Sequence, residues 1–198
     1  MYMIAIYFAD QLHRINPEEY ARYISCLLEL PDLVEKTLHD KENIQYVASR
    51  HFNAKSIFFI GRNIDYALSL EGSLKLKEIS YIHSEAYAAG ELKHGTISLI
   101  EDGTLVVALA THKKLFDKTM SNAVEVKTRG ACILGMTTED NHKIEDIADH
   151  IFYVPEAEEL FMPSLAVVPL QLFAYYVALQ KNCDIDNPRN LAKSVTVE

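Results

Sequence analysis

Short runs of consecutive apolar residues punctuate the chain after residue 54. Four of them cover residues 55–61, 104–110, 131–137 and 149–155. Runs of this length with β-branched and aromatic members are typical of strands that are buried on both faces. Because helical patterns separate these runs, the sequence predicts an α/β fold, a doubly wound parallel sheet with helices on both faces.

The segments between the runs have apolar residues at helical spacing. Predicted helices cover about 64–83, 114–130 and 163–182, and each is long enough to cross a sheet face. Residues 1–50 also have helical spacing, so N-terminal helices are expected to precede the sheet. We therefore divide the chain into a helical segment, 1–50, and an α/β domain, 51–198, which ends in a polar tail.

The predicted helix 64–83 carries a charged stripe. Glu71, Lys75 and Glu78 fall within about 60° of one another when each residue turns the helix by roughly 100°. Apolar positions lie on both sides of this fan, so we predict that the stripe faces a cleft. The side that is expected to face solvent is the polar one, formed by Ser69, Ser73, Lys77, Ser80 and Ser84.

Two interpretations of the stripe stay open from the residues alone. A solvated Glu–Lys pair on a helix surface contributes only a few tenths of a kcal/mol. A carboxylate held beside an ammonium in an apolar cleft is instead a candidate general base. We favour the second interpretation, and we predict that Glu78 is mostly buried near Lys75, in a cleft at the C-terminal edge of the sheet.

A histidine follows this helix in the stretch EAYAAGELKHG, residues 85–95. His94 stands between two glycines, and a histidine fixed at the edge of a cleft can shuttle protons near neutral pH. The alternative is an ordinary exposed loop histidine. His142 and His150 show no repeated ligand spacing and are read as surface residues.

Composition excludes several classes of function. The net charge of −9 and the scattered basic residues argue against a nucleic acid partner. Cys26, Cys132 and Cys183 form no CxxC or Cys–His ligand spacing, so we expect three reduced thiols and no metal site. The N-terminus lacks the features of a signal peptide, and no apolar run predicts a membrane span. These observations favour a cytoplasmic protein.

Two stretches carry a resemblance to a known family, LEGSLKLKEISYIHSEAYAAGELKHG (70–95) and PRNLAKSVTVE (188–198). They closely resemble the glutamine–fructose-6-phosphate aminotransferases, and the similarity runs in order through the whole chain. The resemblance identifies the chain as the C-terminal half of that family's sugar-isomerase (SIS) module. It also identifies the segment 1–50 as the junction with the preceding SIS half.

The resemblance implies an activity for the complete enzyme. It would convert fructose 6-phosphate and glutamine to glucosamine 6-phosphate and glutamate, without a metal or an organic cofactor. Glu78 resembles the base that moves the proton between C1 and C2 of the sugar. Lys75 resembles the residue that handles hydroxyl protons near C2, and Glu71 resembles a partner that helps to hold the group.

Three further residues receive roles from the same resemblance. His94 is similar to a histidine that promotes ring opening and that reaches in from the neighbouring subunit, which implies a homodimer. Lys193 resembles the lysine that forms a Schiff base with the keto sugar. The backbone of Ala192 would lie beside the sugar.

The sequence also departs from the family pattern. It contains no Ser/Thr-rich S-x-S-G-x-T loop for the sugar phosphate and no glutaminase domain, so we expect the first SIS half and the glutaminase as partners and little activity alone. Asn63 stands where the family usually has glycine, and Thr96 where it has proline. The alternatives are a non-catalytic phosphosugar-binding module that regulates a partner, and an oligomerisation domain with a buried ion network.

Overall fold

The computed structural model describes residues 1–190. Its α-helices are α1 Tyr2–Gln11, α2 Pro17–Leu38, α3 Lys41–His51, α4 Ile64–Ser80, α5 Phe116–Lys127 and α6 Met162–Gln180. Its strands are β1 Ser56–Gly61, β2 His83–Ala88, β3 Leu105–Leu109, β4 Cys132–Thr138 and β5 His150–Val154. Four of these five strands coincide closely with the apolar runs, so the predicted strands are confirmed.

The strands form one five-stranded sheet in the order β2-β1-β3-β4-β5. Every neighbouring pair is parallel. From β1 the chain crosses to β2 on one side and then returns to add β3 on the other side. This reversal makes the sheet doubly wound and confirms the predicted fold class.

Two hydrophobic cores cover the two faces of the sheet. Alternate strand residues point to opposite faces, so Phe59 and Val107 belong to one core while Phe58 and Val106 belong to the other. Helices α3, α4 and α6 cover the first face. Helix α5 and short 3-10 segments cover the second. Burial on both faces explains why the strand sequences are apolar without alternation.

Strand β2 is the element that the sequence pattern did not predict. Helix α4 ends at Ser80, because Tyr81 adopts a left-handed conformation with φ of 60°. The chain then enters β2 instead of continuing the helix to residue 83. The mixed sequence HSEAYA of this strand gives no apolar run.

The N-terminal helices pack to different extents. Helix α3 supplies Ile44 and Val47 to the core of the first face, although it lies within the segment 1–50. Helix α2 packs against α6. Helix α1 buries only Ile6 and leaves Met3 and Phe8 exposed. The predicted helices are present, and α1 carries an exposed apolar surface.

Helix α6 is long and apolar enough to cross a membrane, judged by length and composition alone. Half of its most apolar stretch is buried inside the domain. Leu170, Phe173 and Val177 belong to the core of the first face, and α6 packs against both α3 and α4. These are the contacts of a core helix, and we interpret it as one.

Candidate functional site

Helix α4 turns its serine-rich side towards the core, which is the opposite of the predicted orientation. Ser69, Ser73 and Ser80 are almost fully buried. The hydroxyl of Ser69 donates to the carbonyl of Asp65 at 2.7 Å, and that of Ser80 donates to the carbonyl of Leu76 at 2.6 Å. A serine that bonds to a carbonyl of its own helix leaves no donor unsatisfied, and it can therefore be buried.

Gly72 lies on the same buried side of α4. A Cβ atom there would stand 3.0 Å from Leu170 of α6 and 3.0 Å from Phe59 of β1. Glycine and serine thus bring the helix close to the sheet and to α6. The small side chains of α4, and not its leucines alone, form its packing surface.

The charged stripe consequently lies on the outward side of α4. Leu70 and Leu74, which flank it, are 48% and 42% exposed. The side chain of Glu78 is 26% exposed, so most of it is buried, as predicted, although it keeps contact with solvent. In this chain the stripe is a mixed apolar and charged surface, open to solvent.

The three charged residues are nevertheless organised. Lys75 Nζ donates to Glu78 Oε2 at 2.6 Å and lies 3.8 Å from Glu71 Oε1. The hydrogen bond to Glu78 is the main cause that raises the pKa of Lys75, and both carboxylates add to it by their charge. Lys75 therefore carries its positive charge at neutral pH, one helical turn from each carboxylate.

Glu78 lies at the amino edge of the sheet and not at the predicted C-terminal edge. Helix α4 starts after the carboxyl end of β1 and runs back to the start of β2, so its last turn is level with the strand beginnings. A shallow groove of about 550 Å³ opens there, which we call the amino-edge groove. Its lining residues are Leu74, Lys77, Glu78, Tyr81, Ile82, His83, Arg189 and Asn190.

The last described residues of the tail form one wall of the amino-edge groove. The backbone N–H of Arg189 donates to the Tyr81 hydroxyl at 2.8 Å. The guanidinium of Arg189 also stacks 4.1 Å from the centre of the Tyr81 ring, a favourable cation–π geometry. At Asn190 the tail has therefore reached the groove that Glu78 also lines. Ala192 and Lys193 lie outside the described residues.

His94 lies away from the amino-edge groove. It ends a 3-10 helix, Ala89–His94, that follows the carboxyl end of β2. Glu78 precedes the amino end of that strand, and a six-residue strand separates its two ends by roughly 17 Å. The His94 ring is 63% exposed, with Nε2 at 3.9 Å from a Glu91 oxygen. Within one chain, His94 and Glu78 do not come together.

The structure also shows a polar cluster at the carboxyl edge that the sequence analysis missed. Asp65 is buried and accepts hydrogen bonds from the Thr111 hydroxyl at 2.5 Å and the His112 N–H at 3.1 Å. Burial raises the pKa of Asp65 in spite of these bonds. His112 Nδ1 is buried without a partner in the described residues, beside a cavity of about 280 Å³. The signal was available, because Thr111 and His112 directly follow a predicted strand.

One departure from the family pattern falls on a constrained position. Asn63, which stands where the family usually has glycine, adopts φ of 55° and ψ of −122°. This conformation favours glycine, because a Cβ atom is crowded there. In the turn between β1 and α4, asparagine therefore adopts a backbone conformation that is typical of glycine.

Comparison with known proteins identifies the fold family. The family model described as the SIS domain matches residues 52–181, more than half of the chain. The chain belongs to the SIS domain family. The matched range begins just after α3 and ends just after α6, so it includes the sheet, the cluster at the carboxyl edge and the amino-edge groove except for the wall formed by Arg189 and Asn190.

Curated relatives extend the similarity beyond the SIS domain to the whole chain. It is 54% identical over 198 residues to glutamine–fructose-6-phosphate aminotransferase of Clostridium tetani and 53% identical over 198 residues to that of Caldanaerobacter subterraneus. Each match covers 100% of this chain and 33% of the relative. The chain thus spans about a third of the length of these relatives.

A solved structure agrees with this similarity. The C-terminal domain of glucosamine-fructose-6-phosphate aminotransferase from Francisella tularensis is 31% identical, with a TM-score of 0.86. The superposition covers 93% of this chain and 52% of that one. The resemblance read from residues 70–95 and 188–198 is confirmed.

Proposed function

We propose that this chain is the C-terminal isomerase half-site of a glutamine–fructose-6-phosphate aminotransferase. The complete enzyme would form glucosamine 6-phosphate and glutamate in the cytoplasm, and residues 51–198 would supply the isomerase residues and the tail. The observation that carries the proposal is the Glu71–Lys75–Glu78 group beside the amino-edge groove. The 54% identity to the Clostridium tetani enzyme over the whole chain supports it.

The geometry of the stripe supports distinct roles for its members. Isomerisation of a keto sugar requires a base that reaches two adjacent carbons, and Glu78 is the carboxylate that lines the groove. Lys75 holds Glu78 by a hydrogen bond of 2.6 Å and carries a charge that can stabilise an enolate-like intermediate. Glu71, at 3.8 Å on the other side of Lys75, helps to position the ammonium.

The openness of the groove supports a half-site that another part of the enzyme completes. Leu70 and Leu74 are large apolar side chains left in solvent beside three charged groups. A covering surface would bury the leucines and lower the local dielectric, which strengthens the electrostatics of catalysis. We assign this cover to the preceding SIS half, and the phosphosugar to the space between the two halves.

The tail supports a second catalytic contribution. Asn190 lines the groove, and three further residues span at most about 11 Å when fully extended. The length of the chain therefore allows Lys193 to act on the Glu78 side of the domain. We propose that Lys193 forms the Schiff base with the keto sugar and that the Ala192 backbone contacts the sugar.

His94 supports a symmetric homodimer in the proposal. Its exposed ring stands about one strand length from Glu78 of the same chain, so a second subunit has to present it to that groove. The apolar surface of α1 offers a competing contact, which would leave His94 far from any Glu78. Sedimentation of the wild type and of Phe8→Glu separates the two: the His94 interface survives this substitution, and an α1 interface is lost.

A chimera tests the proposed function. The present chain replaces the matching third of the Clostridium tetani enzyme, and glucosamine 6-phosphate formation is measured. We expect an active chimera whose activity falls by about 10²–10⁴-fold in Glu78→Gln, the contribution of a general base. The matched control is Glu42→Gln, the same chemical change at an exposed glutamate of α3 that does not line the groove, with unchanged activity. The isolated 198-residue chain is expected to make no glucosamine 6-phosphate from glutamine.

Two outcomes would contradict the proposal. A chimera that retains activity in Glu78→Gln would remove the base from the mechanism. A folded chimera that binds fructose 6-phosphate without turnover would favour the regulatory phosphosugar-binding module. Glutaminase activity of the same chimera shows whether the rest of the enzyme is intact.

A further inference from the structure

Three metal-ligating side chains meet at the amino edge, away from the groove. His51 ends α3, Cys132 begins β4 and His150 begins β5. Their ligand atoms all lie within 4.8 Å of one another, and all three side chains are partly buried. Strands β1 and β3 lie between β4 and β2, so this cluster is roughly 14 Å from the strand beside Glu78.

The spacing of the three ligand atoms is close to that of a tetrahedral metal site. Cys132 Sγ stands 3.9 Å from His51 Nε2. Zinc–ligand distances of about 2.0–2.3 Å place neighbouring ligands roughly 3.3–3.6 Å apart in a tetrahedron. The His51 and His150 rings are nearly perpendicular, with centroids 5.6 Å apart, and so they do not stack. Contraction by roughly 1 Å brings all three atoms onto one ion.

The protonation states of the cluster suit a metal. Burial lowers the pKa of His51 to about 4, with the charges of His150 and Arg50 adding to the effect. Burial also lowers the pKa of His150, although Asp149 partly opposes this. Both imidazoles are therefore neutral at pH 7, the form that binds metals. Burial raises the pKa of Cys132, so its thiol keeps its proton in the absence of a metal.

We propose that His51, Cys132 and His150 form a Zn²⁺ site, with the fourth position open to water or another ligand. One thiolate and two imidazoles are a ligand set that zinc prefers over magnesium or calcium. The site would join the end of α3 to the beginnings of β4 and β5. No sequence motif predicts this site, because its ligands come from three separate elements. His51 and Cys132 are 81 positions apart along the chain, and Cys132 and His150 are 18 positions apart.

The main experiment titrates the purified 198-residue chain with Co²⁺, which reports on the zinc site through its spectrum. We expect one equivalent to bind with tetrahedral d–d bands and a thiolate-to-cobalt charge-transfer band, both of which Zn²⁺ displaces. Cys132→Ser should lose the charge-transfer band, and Cys183→Ser, another partly buried free thiol, should keep it. His51→Gln and His150→Gln should each keep the band and weaken binding by at least ~10-fold, the lower range for loss of an outer-shell partner.

The outcomes separate a site from a packing contact. A Co²⁺ spectrum without a thiolate band, or a band that persists in Cys132→Ser, would overturn the proposal. Two histidine variants that bind as tightly as the wild type would also overturn it. If Cys132→Ser does not fold, the two histidine variants still decide.

Discussion

The two sides of α4 are both polar, yet one is buried and the other is not. The inner side carries Ser69, Ser73 and Ser80 around Gly72, packed on β1 and α6. The outer side carries the ion pair of Lys75 and Glu78 with two exposed leucines beside it. Polarity alone therefore does not decide which side of this helix faces the core.

The difference between the two sides lies in how each polar group is satisfied. A serine hydroxyl is neutral and bonds to a carbonyl four residues back, so its burial costs little. Burial of an ion pair costs several kcal/mol for each charge, and a contact at 2.6 Å does not fully offset it. The charges consequently remain at the surface, and the leucines remain there with them. That combination fits a surface that another part of an enzyme covers.

The largest test of this comparison uses two leucines of α4. Leu76 is fully buried in the core of the first face and Leu74 is 42% exposed beside the stripe. Leu76→Ala should lower the free energy of unfolding by about 2–5 kcal/mol, because it removes buried methyl groups and leaves a cavity. Leu74→Ala should lower it by less than about 1 kcal/mol. Urea unfolding of both variants measures the difference.

Each leucine variant serves as the other's control, since both lose the same atoms from one helix. Equal losses would mean that α4 is oriented differently from the structure. A larger loss in Leu74→Ala would place the stripe inside, as the sequence pattern first indicated.

His51 is a second example of a polar side chain that is partly buried in its neutral form. Its pKa in the folded chain is about 4, below the ordinary value of 6.5. Between these values the unfolded chain binds more protons, so stability is present above pH 6.5 and is lost as the pH falls towards 4. The loss should be on the order of 1 kcal/mol, after a discount for partial exposure.

Unfolding at pH 7 and pH 5 in the presence of a chelator checks this expectation. His51→Gln should show a smaller decrease between the two pH values than the wild type does. His94→Gln, at an exposed position, is the control and should keep the wild-type decrease. An unchanged decrease in His51→Gln would contradict the assignment.

Much of the fold could be predicted from the sequence, because parallel strands that are buried on both faces consist of consecutive apolar residues. Strands β1, β3 and β4 are of this kind, and the edge strand β5 is also apolar in sequence. The other edge strand, β2, is not, since its mixed sequence carries His83 and Glu85. Apolar residues at helical spacing continue through Ile82, so the sequence pattern did not indicate that the helix ends at the left-handed residue Tyr81.

For the candidate site, the sequence predicted the pairing of two side chains but not their setting. The ion pair of Lys75 with Glu78 follows from helical spacing alone, and the structure confirms it. The orientation of α4 does not follow, because a pattern of serines and leucines does not reveal which side a neighbouring element occupies. His51, Cys132 and His150 are far apart in the sequence but close in space. Their proximity depends on the order of the strands in the sheet, which local sequence patterns do not reveal.

The smallest expected effect distinguishes a catalytic stripe from a structural one. Glu78→Gln should change the free energy of unfolding of this chain by less than about 1 kcal/mol, because Lys75 and Glu78 are partly exposed. The change should shrink further in high salt, which screens such pairs. Loss of one partner from a buried ion network would instead cost about 3–5 kcal/mol. A loss of that size would favour the oligomerisation domain, whereas a small loss together with the collapse of activity in the chimera would assign Glu78 to chemistry. Lys75→Met adds the complementary measurement, since it removes the ammonium and keeps a side chain of similar length.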